Sequence, residues 1–106
     1  MTRAYISGTG GFVPERIVTN EDLIAQYGIE TDNEWIVKRT GIQSRHFAEE
    51  GVGTADLALP ACQEAIAEAG IEPADLDLII FATLSPDYAF PGSGVLLQEK
   101  LGLVQG

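Results

Sequence analysis

The chain is 106 residues long, 45% apolar, and carries sixteen acidic against six basic side chains, a formal charge of −10. That balance excludes a nucleic-acid ligand, which needs a basic face, and argues against docking an acidic protein through this part of the molecule. No run approaches the ~18–20 apolar residues of a membrane helix, the opening MTRAYISGTGG lacks a secretory-signal pattern, and a single cysteine, Cys62, cannot form an internal disulfide, so a soluble cytoplasmic protein is expected.

Taken in chain order, residues 4–7 predict a short strand, followed by a glycine turn and an extended stretch through Pro14. Asn20 is placed to cap a helix over 21–27 that stops at Gly28, with Asp22 in its first turn. Thr31 or Asp32 opens a second short helix through Lys38, with Ile36 and Val37 facing inward and "RTGI" breaking it. Residues 42–53 are polar and read as an exposed loop. Thr54 caps the clearest helix, 55–69, in which Ala58, Ala61, Cys62, Ala65, Ile66 and Ala69 recur at spacings of three and four. Gly70 ends it. Pro73 begins a turn, and residues 78–83 form an apolar run suited to a strand buried on both faces. Residues 95–101 read as a last helix, capped by Ser93 and ended at Gly102. Strands alternating with helices make an α/β pattern, and two strands cannot complete a sheet of this kind, so the domain reads as incomplete.

Several candidate sites can be weighed on the residues alone. Gly8, Gly10 and Gly11 follow a strand, but a dinucleotide-binding loop needs a third glycine where Val13 stands and a helix where Pro14 stands. A tight turn is the better reading. Cys62 lies mid-helix on the apolar face without a cationic neighbour, which suits a small core residue rather than a nucleophile. His46, the single histidine, has no nucleophile or carboxylate placed for it by the sequence, and with one Cys and one His no metal site is supported. The stretch TDNEWIVKRTGI holds the only tryptophan, Trp35, and Lys38, Arg39 and Arg45 make up half of all cations within eight residues. The pattern admits two readings equally. One is surface pairing with Glu34, Glu49 or Glu50. The other is a phosphate-bearing ligand whose flat ring stacks on Trp35.

The stretches GTGGFVPERIVTNEDL, TDNEWIVKRTGIQSRH, AIAEAGIEPADLDLIIFATLSPDYAFP and LQEKLGL together resemble the N-terminal third of the β-ketoacyl-acyl-carrier-protein synthase III family. These are thiolase-fold enzymes that condense an acyl-CoA primer with malonyl-ACP to begin fatty acid synthesis. The resemblance implies an α/β, thiolase-like fold of which residues 1–106 are the N-terminal part of the first half, an incomplete αβαβα layered domain. It implies that Trp35 stacks on the adenine of coenzyme A, that Arg39 contacts the CoA phosphates, and that Thr31 borders that site. Phe90, in "AFP", would sit at a dimer interface and reach the partner subunit's acyl pocket, limiting primer length.

Coenzyme A enters as a thioester substrate, with no resident cofactor and no metal. Acyl-CoA, an acyl carrier protein docking elsewhere, and a homodimer of the complete protein are the implied partners. The family's nucleophilic cysteine, histidine and asparagine match nothing here, neither Cys62 nor His46, and are expected beyond Gly106 or on a second polypeptide. Acyl would pass from CoA to that cysteine, histidine and asparagine would assist decarboxylation of malonyl-ACP, and the carbanion would attack the thioester. Two alternatives stay open: a secondary-metabolism (polyketide-type) thiolase-fold condensing enzyme or acyltransferase, and a non-catalytic CoA-binding subunit.

Overall fold

A computed structural model describes residues 2–103 and divides into two units, Val13–Glu50 on the one hand and the residues up to Phe12 together with those from Gly51 on the other. In the first unit, β1 (Arg16–Thr19) pairs antiparallel with β2 (Ser44–Phe47), Val18 lying opposite Arg45 and Thr19 opposite Ser44. The sequence reading has neither strand. RIVT and SRHF are four residues each with one buried side chain between them, Val18, too short for a period-two pattern to show.

Between the strands lie α1 (Asn20–Tyr27) and α2 (Asn33–Thr40). The cap of α1 is Thr19 rather than the expected Asn20. Its hydroxyl accepts from the Asp22 N–H at 3.1 Å, and the Asp22 carboxylate accepts from the Thr19 N–H at 3.0 Å, a reciprocal capping box that satisfies two orphan donors. Asn20 is thereby released for another task. Of the two candidate caps of α2, Asp32 acts, its carboxylate accepting from the Trp35 N–H at 2.8 Å. The helix runs two residues past Lys38 and closes on Gly41 at φ 74°, a left-handed position that a side chain would strain. Ile36 and Val37 are the half-buried residues of α2, as expected.

The second unit is organised by α3 (Thr54–Ala69), which packs against α4 (Ser93–Lys100). A 3-10 turn at Pro73–Asp75 follows α3. Gly8 and Gly10 form a close seat for α3. A Cβ at Gly8 would overlap the Ala65 carbonyl oxygen and lie 2.8 Å from the Ala69 nitrogen, and one at Gly10 would overlap the Ala61 carbonyl oxygen. Two residues of extended chain advance ~6.6 Å and one helical turn of four residues ~6 Å, so the two glycines step along Ala69, Ala65 and Ala61 almost in register. These glycines serve contact with a helix rather than the turn that the sequence reading gives them.

The predicted strands at 4–7 and 78–83 join no sheet among the described residues. In the second run, Ile79 and Phe81 are half-buried, and Phe81 lies 3.5 Å from the Cβ position of Gly94 in α4. Leu78 and Ile80 are 75% and 85% exposed, and Tyr5 and Ile6 are open to a similar degree. The run is therefore covered on one face, not on both as expected, because the described residues supply helices on one side and no second layer.

Candidate functional site

Three of the sequence-predicted site residues fall together in the unit Val13–Glu50. The guanidinium of Arg39 lies over the Trp35 ring, 5.3 Å from its centroid. One helical turn separates the two residues, and the i, i+4 spacing places their side chains on one face of α2. Trp35 remains 54% exposed, so a substantial part of its ring is free. Thr31 reaches the same place from the preceding loop: it lines, with Ile29, Glu30, Asp32 and Trp35, a shallow depression of about 470 Å³. The arrangement offers a flat π surface for a planar ring and, stacked over the same indole, a cation for an anion. Lys38 and Arg39 also occupy the last turn of α2, where positive charge is favoured by the helix dipole.

The surface-pairing reading of these cations finds no support, since among the described residues the one ion pair is Lys100 with Asp56 at 2.7 Å. Arg45 serves neither reading. It donates to the Val18 carbonyl at 3.2 Å and to the Asn20 side-chain oxygen at 2.7 Å, which makes it part of the scaffold. Lys38 lines a different depression, with Glu21, Glu34 and Ser44 among others.

Asn20 is the residue that sequence reasoning missed in this unit. Fully buried, it donates through Nδ2 to Asn33 Oδ1 and to the Ile42 carbonyl, both at 2.8 Å, while Oδ1 accepts from Arg45. One carboxamide thus ties the start of α1 to the first residue of α2 and to β2, and so fixes the helix that carries Trp35. An asparagine at a helix start carries a capping signal, and nothing local marks it as the centre of a network.

Phe90 belongs to the other unit. It is 90% exposed on the loop between residues 84 and 92, beside Tyr88. Both ends of that loop are fastened. Thr54 Oγ1 donates to the Ser85 carbonyl at 2.6 Å, so Thr54 does not cap α3 as expected. The free Ala55 N–H of α3 donates instead to the Asp87 carboxylate at 3.0 Å, which also accepts from the Ser93 hydroxyl at 2.7 Å. Ser93 in turn accepts from the Asp87 N–H at 2.9 Å and is spent on the loop rather than on capping α4, which starts after Gly92.

The carboxyl of Asp87 sits below the usual carboxylate range, first because Ser93 donates to it and then because the Ala55 N–H does. Asp22 and Asp56 are lowered too, the former first by the Thr19 N–H and the latter first by the Lys100 ammonium. A lowered folded-state pKa gives stability that is full above the unfolded carboxylate range near pH ~4 and is lost as pH falls through the folded value. Acid denaturation of the full-length protein should therefore show stability declining below about pH 4. Asp87→Asn should make that decline shallower, and an unchanged slope would remove Asp87 from this account.

Cys62 lies within α3, half-buried, and burial pushes its thiol up, away from the reactive thiolate. His46 Nδ1 contacts the Pro14 carbonyl from β2. Among the described residues no group of three or more His, Cys, Asp or Glu side chains could hold a metal ion, and no helix is long and apolar enough to cross a membrane.

The fold formed by these elements is part of the thiolase-like α/β fold of ketosynthases. Within that class the chain is similar to β-ketoacyl-[acyl-carrier-protein] synthase III: it is 50% identical over 109 residues to the Bordetella petrii protein of that name, a match that takes in all of this chain and 33% of that protein. The crystal structure of 3-oxoacyl-[acyl-carrier-protein] synthase III from Aquifex aeolicus superposes with a TM-score of 0.82 at 41% identity, over 93% of this chain and 31% of that one. The priming β-ketosynthase of the R1128 polyketide biosynthetic pathway superposes with a TM-score of 0.82 at 31% identity, over 93% and 29%. The chain thus spans about a third of the length of these proteins. No protein-family model matches it.

Proposed function

We propose that this chain is the acyl-CoA-binding, N-terminal portion of a ketosynthase III-type enzyme that condenses an acyl-CoA primer with malonyl-ACP in fatty acid synthesis. The observation that carries the reading is the stack of Arg39 on a half-exposed Trp35 beside the Thr31 depression. The adenine of coenzyme A would take the free surface of the indole, Thr31 would border it, and Arg39 would turn its charge to the phosphates. Phe90 would limit primer length at the interface of a homodimer. The nucleophile and its histidine and asparagine partners fall outside these residues, as does the docking surface for the acyl carrier protein. The exposed Tyr5, Ile6, Leu78 and Ile80 then have a purpose, since further layers of the complete fold would cover them in a cytoplasmic dimer.

Trp35→Ala in the full-length protein should raise the KM for acyl-CoA roughly tenfold, the worth of one stacked base, with little change in the KM for malonyl-ACP. Equal effects on both substrates would sink the stacking role. A polyketide-pathway condensing enzyme is the second reading, favoured by the equal TM-score of the R1128 priming ketosynthase. Primer preference of the purified protein separates the two.

A further inference from the structure

We infer that Asp87 is a positioning residue for primer-length selection: its carboxylate, held by Ser93 and by the first turn of α3, fixes the loop tip that presents Phe90. This rests on the proposed primer-pocket role of Phe90 and adds to it the device that sets where the phenyl ring stands. Among the described residues the Phe90 ring, 90% exposed, has almost nothing packed against it, so what this part of the protein contributes to its position comes from the backbone beneath. That backbone is fixed at both ends of the tip. Upstream, the Ser85 carbonyl is held by Thr54, and Asp87 by the Ala55 N–H. Downstream, the buried Ser93 is bonded twice to Asp87, once to its carboxylate and once to its N–H.

Asp87 and Ser93 are the two posts between which the five residues Tyr88, Ala89, Phe90, Pro91 and Gly92 form the bridge. Gly53 completes the seat, because a Cβ there would overlap Asp87 Oδ1. The carboxylate therefore lies close over Gly53, against the amino end of a sixteen-residue helix whose dipole favours a negative charge.

The test compares kcat/KM for acetyl-CoA and octanoyl-CoA primers in the full-length protein and its variants. Phe90→Ala is the control for the underlying reading and should change the ratio of the two by about tenfold or more, as a resized apolar pocket does. Asp87→Ala should change the ratio in the same direction, Ser93→Ala should do so more weakly, and Asp87→Asn, which keeps an acceptor oxygen, should stay near the parent value. A role in folding alone would lower both primers equally and leave the ratio alone. If Phe90→Ala moves the ratio while Asp87→Ala and Ser93→Ala do not, the positioning role is wrong. If Phe90→Ala itself leaves the ratio unchanged, the primer-pocket reading falls and takes this inference with it. Should Asp87→Ala fail to fold, Ser93→Ala decides alone.

Discussion

Asn20→Ala in the full-length protein should cost about 3 kcal/mol of stability, the range expected when a buried network loses its centre. The truncation leaves Arg45 Nη2, Asn33 Oδ1 and the Ile42 carbonyl without the partner each now has. Burial makes the loss expensive, because polar groups left without a partner around a fully buried position keep their desolvation cost. The informative companion is Asn20→Asp. It would keep an acceptor for Arg45 and even strengthen it with charge, yet the Ile42 carbonyl can only accept and would face a second oxygen. Aspartate should therefore rescue little, and chemical denaturation of both variants checks this. Full recovery by aspartate would show that the bond to Arg45 alone matters. Because the same carboxamide anchors the first residue of α2, the alanine variant should also weaken the acyl-CoA binding proposed for Trp35 without touching that side chain.

Gly10→Val should be comparably severe, by about 2–3 kcal/mol, as for other intrusions into close-packed contacts. The new Cβ would overlap the Ala61 carbonyl oxygen and lie 2.9 Å from the Ala65 nitrogen. These are backbone atoms of a sixteen-residue helix, so no rotamer change relieves the overlap and the two elements must separate. Gly11→Ala is the control, since a Cβ there meets nothing within 4 Å. It should melt like the parent, and a matched drop in both variants would contradict the close-seat explanation.

The long-period features of this fold were legible in the sequence. Alanines at spacings of three and four identified α3 to within a residue, and Gly28 and Gly70 marked helix ends that the structure closes with left-handed glycines. Trp35 and Arg39 stand out as an aromatic beside a cation, but the sequence reading ends their helix at Lys38, and it is the two further residues of α2 that bring Arg39 over the ring. The features that failed are those decided by partners far along the chain. Asn20 and Arg45 stand 25 residues apart, and Asp87 meets Ala55 across 32. Neither separation leaves a local trace. Thr54 and Ser93 are residue types that cap helices, but neither caps here, because partners at Ser85 and Asp87 take their hydroxyls. The run at 78–83 failed for a different reason. Its apolar content specifies two buried faces, and the described residues cover one of them.

The seam between Gly8, Gly10 and the alanines of α3 is built wholly from residues that have no side-chain rotamers to exchange. Ordering it therefore costs almost no side-chain entropy, and it also contains nothing soft. A conventional core interface can absorb a small shove by letting a leucine or methionine hop to another well. Here a push on the 8–10 stretch has no such cushion and must be taken up by the backbone of the helix. Pro60 stands in that helix between the seam and the amino end that holds the Asp87 carboxylate, and a proline, which gives up one backbone hydrogen bond, is where a helix bends.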